Sequence, residues 1–179
     1  MDILPPRLSI MTNRGTIEFQ SLNKSYGIRI SFENILYIEK LCAMSLPNET
    51  GGILIGQYSS DCKWAEITNI TKPPVGSIQR RGSFTRSGKM LLPLLDSFWK
   101  KDQYYIGEWH FHPYSSSFPS ATDLQTMHSL SEEEYLHCPE PILIIVGGKQ
   151  RFTRGYKRYK ETSGLMEWKI GHIFHSIFT

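Results

Sequence analysis

The run GEWHFHPYSSSFPSATD, residues 107–123, constrains this chain more than any other stretch. The residues that lead into it, 103–109, are rich in aromatic and β-branched side chains and read as the start of a β-strand. Side chains alternate along a strand, so His110 and His112 share one side, with their Cα atoms about 6.6 Å apart. That is near enough for two imidazoles to meet on one ion. Pro113 cannot donate to a sheet ladder and ends the strand. Ser120 suits the N-cap of a following helix, whose first turn then carries Asp123 back toward the strand end. Two imidazoles and one carboxylate form a set that suits zinc, and three protein ligands rather than four leave a position for water, as catalytic sites do.

Taken singly, these residues have plainer readings. Ser120 and Asp123 are equally well explained as helix capping, but capping has no use for two histidines at a strand end just upstream. A second stretch, NETGGILIG at 48–56, places Glu49 ahead of two glycines and a short apolar strand. Together the two stretches resemble the JAMM, or JAB/MPN, family of zinc metallopeptidases. Members of that family show a Glu before a Gly-rich strand, then His-Ser/Thr-His-Pro, then Ser-x-x-Asp at the spacing found here. The resemblance covers roughly residues 30–147. One departure is Phe111, where the family has Ser or Thr; on a strand Phe111 points away from His110 and His112, so the ligand set stands. The GEWH context is most similar to the bacterial branch, whose members deconjugate proteins.

The resemblance implies an α+β domain with α/β character, in which helices flank a mixed sheet in a cytidine-deaminase-like arrangement. It implies one zinc ion per chain on His110, His112 and Asp123. Glu49 would take a proton from water and pass it to the leaving amine. Ser120 would donate a hydrogen bond to the developing oxyanion. The expected substrate is an isopeptide or peptide bond after a ubiquitin-like C-terminus, or another C-terminally conjugated protein. Bacterial relatives occur in sulfur-carrier pathways, in ubiquitin-like conjugation operons, and in anti-phage operons with an E1/E2-like conjugating enzyme and a nucleotidyltransferase; the last two settings are expected here.

Composition narrows the rivals. At 179 residues, with 40% hydrophobic and 21% charged, the chain suits one globular domain spanning 1–179, with N-terminal strands over 1–30 and an extension over 160–179. A formal charge of +3 is too small to imply nucleic acid, and no stacking motif accompanies the basic residues. The longest aliphatic run, 142–146, is far too short to cross a membrane. The opening MDILPPRL has neither a basic nor an apolar leader region, and Cys42, Cys62 and Cys138 form no Cys-x-x-Cys, so a cytoplasmic protein with reduced thiols is expected. A zinc deaminase needs His-x-Glu and Pro-Cys-x-x-Cys, and a zincin needs His-Glu-x-x-His; neither occurs. A phosphate loop at Gly82–Met90 fails because five residues separate its glycines and Met90 replaces Ser or Thr. A non-catalytic MPN scaffold remains an alternative, although such relatives usually lose ligands that are all present here.

The remaining elements follow from periodicity. Two strands broken at 13–15 and 23–27 precede a helix over 32–45 capped by Ser31, with Ile35, Ile38, Leu41 and Cys42 on its apolar face. Strands follow over 51–58 and 63–71, pairing as a hairpin. Residues 72–86 read as a solvated polar loop or, alternatively, as a substrate-facing edge that is mobile when free and orders on substrate, with Arg80, Arg81 and Arg86 facing it. Helices are expected over 88–101, burying Met90, Leu91, Leu94, Leu95, Phe98 and Trp99, and over 122–135, burying Leu124, Met127 and Leu130. Residues 141–146 read as a central strand and 151–159 as a basic one. Glu108 shares the side of His110 and His112, which makes it a rival base or a partner for a ligand. His128, His137, His172 and His175 read as structural.

Overall fold

Alternating apolar residues at the start of the chain form three short strands, β1 (Arg7–Met11), β2 (Thr16–Gln20) and β3 (Gly27–Ser31), paired antiparallel in succession. The computed structural model describes residues 7–11, 15–20, 26–115, 117–138, 140–148 and 170–174. Helix α1 (Phe32–Ser45) begins where expected: the Ser31 hydroxyl accepts from the Asn34 N–H, and Ile35, Ile38 and Cys42 are buried. Then come β4 (Thr50–Tyr58) and β5 (Trp64–Ile70), antiparallel as expected, with β5 also running parallel to β3. The segment read as an irregular loop instead contains a hairpin, β6 (Ile78–Arg80) and β7 (Ser83–Thr85). Its residues are mostly exposed and lack apolar alternation, which hides short strands from pattern reading.

Helix α2 (Leu91–Trp99) is shorter than expected. Met90 takes a left-handed conformation that starts the helix late, and Pro93 falls in the first turn, where its missing N–H costs nothing. Leu91 and Leu95 are buried, whereas Met90 and Trp99 are exposed, a correction to the expected stripe. Strand β8 (Tyr104–His112) leads to α3 (Ala121–Ser131), a single 3-10 turn (Glu134–Leu136), β9 (Ile142–Gly147) and β10 (Ile170–Phe174). Asp123, Met127 and Leu130 face inward from α3 at helical spacing; Leu124, expected to be buried, lies one position round the helix and is exposed. The expected strand at 151–159 and His175 lie outside the described residues.

The main sheet runs β1-β2-β3-β5-β4-β8-β9-β10, so β4 and β8 occupy its middle. Strand β8 is antiparallel to β4 and parallel to β9, and α3 lies in the crossover between β8 and β9. One face of the sheet buries Trp109, Phe111, Leu54 and Ile144 with Ile35, Ile38 and Cys42 of α1. The other buries Ile53, Ile55, Tyr105 and Ile145 with Leu91 and Leu95 of α2 and Met127 and Leu130 of α3. This is a mixed α/β domain with helices on both faces. Among the described residues no helix is long and apolar enough to cross a membrane.

Candidate metal centre

Register brings the distant segments together. Thr50 pairs with Phe111 and Gly51 with His110 across β4 and β8, so Glu49, one step earlier, arrives beside the His112 end of the strand. Alternation sends Trp109 and Phe111 into one core and leaves Glu108, His110 and His112 on the opposite face. Phe111 does point away from the histidines.

A bulge sets this alternation. Leu54 pairs with Gly107 but Ile55 with Tyr105, so Ile106 is left over and the faces exchange across it. Gly107 has φ +149, and a Cβ there would sit 1.9 Å from the Ile142 carbonyl oxygen, so only glycine fits. Gly51 is required for another reason. A Cβ on it would meet the rings of Phe84 and His110 at 2.7 and 2.8 Å and the Trp109 carbonyl oxygen at 2.5 Å.

His110, His112 and Asp123 converge, with one ligating atom from each lying within 4.8 Å of the others. His110 Nδ1 is 2.9 Å from Asp123 Oδ1, and His112 Nε2 is 3.5 Å from Asp123 Oδ2. All three are at most 9% exposed. A capping box holds Asp123 in this pose. The Ser120 N–H and O–H both donate to Asp123 Oδ2, at 2.7 and 2.6 Å, and the Asp123 N–H donates to Ser120 Oγ at 3.1 Å. The hydroxyl expected to face an oxyanion is therefore turned onto the carboxylate.

The charges at the site act on one another. Burial disfavours a charged His110, but hydrogen bonds with Asp123 and Glu108 outweigh it and raise the imidazole to about 9 in the absence of a cation. Burial likewise works against the Asp123 carboxylate, yet hydrogen bonds from His110 and Ser120 hold it well below its ordinary range. Glu49 is half-buried, and desolvation raises its carboxyl; the charges of His112, Asp123 and His110 all reach it. Its backbone N–H donates to the Arg80 carbonyl at 2.7 Å, which fixes its place. Two imidazoles, neutral once a cation displaces the His110 proton, and a carboxylate converging at one buried point fit a borderline-soft divalent cation.

Of the three arginines expected to face substrate, Arg80 and Arg81 lie exposed at the turn of the β6–β7 hairpin. Arg86 is turned inward, its Nε donating to Glu108 Oε1 at 2.6 Å. Sequence reasoning missed Phe84, which meets the His110 ring edge-on at 5.4 Å, and Tyr105, whose hydroxyl lies 3.5 Å from Glu108 Oε1. No spacing pattern marks either residue; both follow from the hairpin and the bulge. His137 packs on the Trp99 ring at 5.3 Å, a structural role as expected.

Residues 36–169 match the family described as prokaryotic homologs of the JAB domain. The chain is 42% identical over 132 residues to a protein of Enterobacter hormaechei subsp. hoffmannii (strain UCI 50) named CD-NTase/cGAS isopeptidase, covering 74% of this chain and 73% of that protein. A protein of the same name from Vibrio cholerae serotype O1 (strain ATCC 39315 / El Tor Inaba N16961) is 30% identical over 115 residues, covering 63% of this chain and 69% of its own length. The solution structure of protein DSY2949 from Desulfitobacterium hafniense is 19% identical and gives a TM-score of 0.49, over 64% of this chain and 70% of that one. The matched family span contains Glu49, both histidines, Ser120 and Asp123, on the strands and helix that bring them together, and the chain belongs to the prokaryotic homologs of the JAB domain.

Proposed function

We propose that this chain is a zinc-dependent isopeptidase that frees a C-terminally conjugated protein, ubiquitin-like or a nucleotidyltransferase of the CD-NTase class, from the amine to which it is joined. The observation that carries this reading is the buried convergence of His110, His112 and Asp123 beside a half-buried Glu49. The name borne by the 42% identical relative supports the conjugated substrate class.

His110, His112 and Asp123 would hold the ion. A zinc ion so held acidifies a water and polarises a carbonyl. Glu49 accepts the proton that water gives up and delivers it to the departing amine; burial, by raising its carboxyl, brings its basicity nearer to that task. The Arg80 carbonyl holds the backbone of Glu49 while its side chain works. Ser120 first orients Asp123; its hydroxyl, on a short side chain at the mouth of α3, then turns to donate to the oxyanion. A conjugating enzyme of the E1/E2 type is the partner this reaction implies, since the bond to be cut must first be made.

The test is cleavage of a purified conjugate in which the C-terminus of a CD-NTase is joined to a lysine side chain. The zinc-loaded chain is expected to release both proteins intact, and a chelator to stop it. A conjugate that survives prolonged incubation with enzyme shown to contain zinc overturns the reading.

A further inference from the structure

Glu108 is 1% exposed and is neither a member of the ligand set nor the assigned base. A buried carboxylate that does no work is costly, so its partners are informative. One oxygen, Oε1, accepts from Arg86 Nε at 2.6 Å and lies 3.5 Å from the Tyr105 hydroxyl. The other, Oε2, lies 3.6 Å from His110 Nε2. The opposite ring nitrogen of the same histidine, Nδ1, is the one beside Asp123. The His110 ring is thus bounded on every side: Asp123 at one nitrogen, Glu108 at the other, the Phe84 ring edge-on, and Gly51 leaving the space in which it lies. Two of these restraints, Phe84 and Arg86, come from the β6–β7 hairpin and its exit.

We propose that the Arg86–Glu108 pair is a positioning element that holds His110 with one nitrogen offered to the metal, and that it makes the β6–β7 hairpin part of the metal centre. The inference rests on the metal-dependent reading above. Nδ1 is the nitrogen on the side of the other two ligands, so a proton kept at Nε2 by the facing Glu108 leaves the Nδ1 lone pair for the ion that Asp123 would share. Arg86 is needed because it engages Oε1 and so leaves Oε2 as the oxygen that faces His110 Nε2. The guanidinium fixes the carboxylate with one oxygen already engaged. Metal affinity then depends on a residue that never touches the metal.

The experiment measures zinc affinity by chelator competition, and the cobalt(II) absorption spectrum, for wild type, Glu108→Gln, Arg86→Gln, Arg86→Lys and the paired Arg86→Gln/Glu108→Gln chain, each checked for folding without metal. Glu108→Gln and Arg86→Gln are expected to weaken metal binding roughly 10–100-fold and to shift the cobalt spectrum, as changes to the partners of ligating histidines do. Arg86→Lys, which keeps the charge, should recover most of the affinity. Loss of a buried charge can unfold a chain; if either single variant does not fold, the paired one, which removes both charges, is compared with wild type instead and should show the same weakened binding. Folded variants with wild-type affinity and an unshifted cobalt spectrum overturn the positioning role and leave the metal reading intact. Wild-type chain that takes up neither zinc nor cobalt overturns the metal reading, and the positioning role with it.

Discussion

Glu49 feels the charges of both histidines and Glu108 lies 3.6 Å from His110, but their surroundings differ. Glu108 is sealed in and already engaged by Arg86, whereas Glu49 is half-buried, and its carboxyl is raised by desolvation. A proton carrier must reach both water and leaving group, and the half-buried Glu49 suits that proposed role better than the buried, ion-paired Glu108. Glu49→Gln is expected to lower turnover by roughly 10²–10⁴ while zinc content, measured by elemental analysis, stays at wild type. Glu108→Gln at saturating zinc should keep measurable turnover, and exchange of the two results would reverse the assignment. A second prediction concerns the metal-free chain. His110 is raised from 6.5 to about 9, so the stability its charge contributes is fully present below 6.5 and is lost as pH rises through about 9. Asp123 is lowered from 3.8, so its contribution is present above 3.8 and is lost as pH falls below that value. Thermal melting of chelator-treated protein should therefore be highest between those limits and fall toward alkaline pH. Zinc-loaded protein, whose ligating histidine is already neutral, should lack that alkaline decline; parallel curves for the two forms would contradict the ion pair.

The bulge at Ile106 and Gly107 is the element on which the site's geometry turns, because it sends Ile106 into one core and Glu108 to the other face of the sheet. Gly107→Ala is expected to destabilise the domain by about 2–3 kcal/mol, combining positive-φ strain with a clash against the backbone of β9. Chemical denaturation reads this directly, and a loss under about 0.5 kcal/mol would mean that the bulge relaxes. Elements with a strong periodic signal were legible in the sequence: α1 with its Ser31 cap, the central strand β9, and the strand end at Pro113. So was the convergence of His110, His112 and Asp123, because they lie within fourteen positions and alternation alone pairs the histidines. The rest depends on relations that no local window contains. Sheet order and the parallel pairing of β8 with β9 are tertiary facts. The hairpin β6–β7 carries no alternation, so Arg86 could be counted as a solvent-facing cation until its neighbours were seen. Leu124 and Trp99 were misjudged because apolar character does not say which side of a short helix meets the sheet.

At the scale of the whole molecule, the hairpin touches residues that sequence separates. Its exit, Phe84 and Arg86, presses on His110 and Glu108, and the Arg80 carbonyl holds the backbone of Glu49. Its turn, with the Arg80 and Arg81 side chains, is exposed. We infer that a conjugated C-terminal tail, extended and poor in side chains to grip, is held by main-chain pairing along this two-stranded ribbon, with the turn arginines steering acidic groups of the substrate toward it. The two halves of the hairpin should then respond differently to change. Arg80→Glu with Arg81→Glu should raise KM roughly tenfold at low salt, with zinc content, melting temperature and kcat close to wild type, since exposed charges contribute little to folding. The difference should shrink between ~0.01 M salt, where charges act over ~30 Å, and ~1 M, where they act over ~3 Å. Deleting residues 77–82 goes further. It removes the ribbon and the Arg80 carbonyl together, so it should raise KM and also lower kcat through a misplaced Glu49. If charge reversal leaves KM unchanged at every salt concentration, the arginines face solvent only. If amide exchange over residues 78–85 also shows no protection when a non-cleavable conjugate saturates the enzyme, the tail docks on another edge.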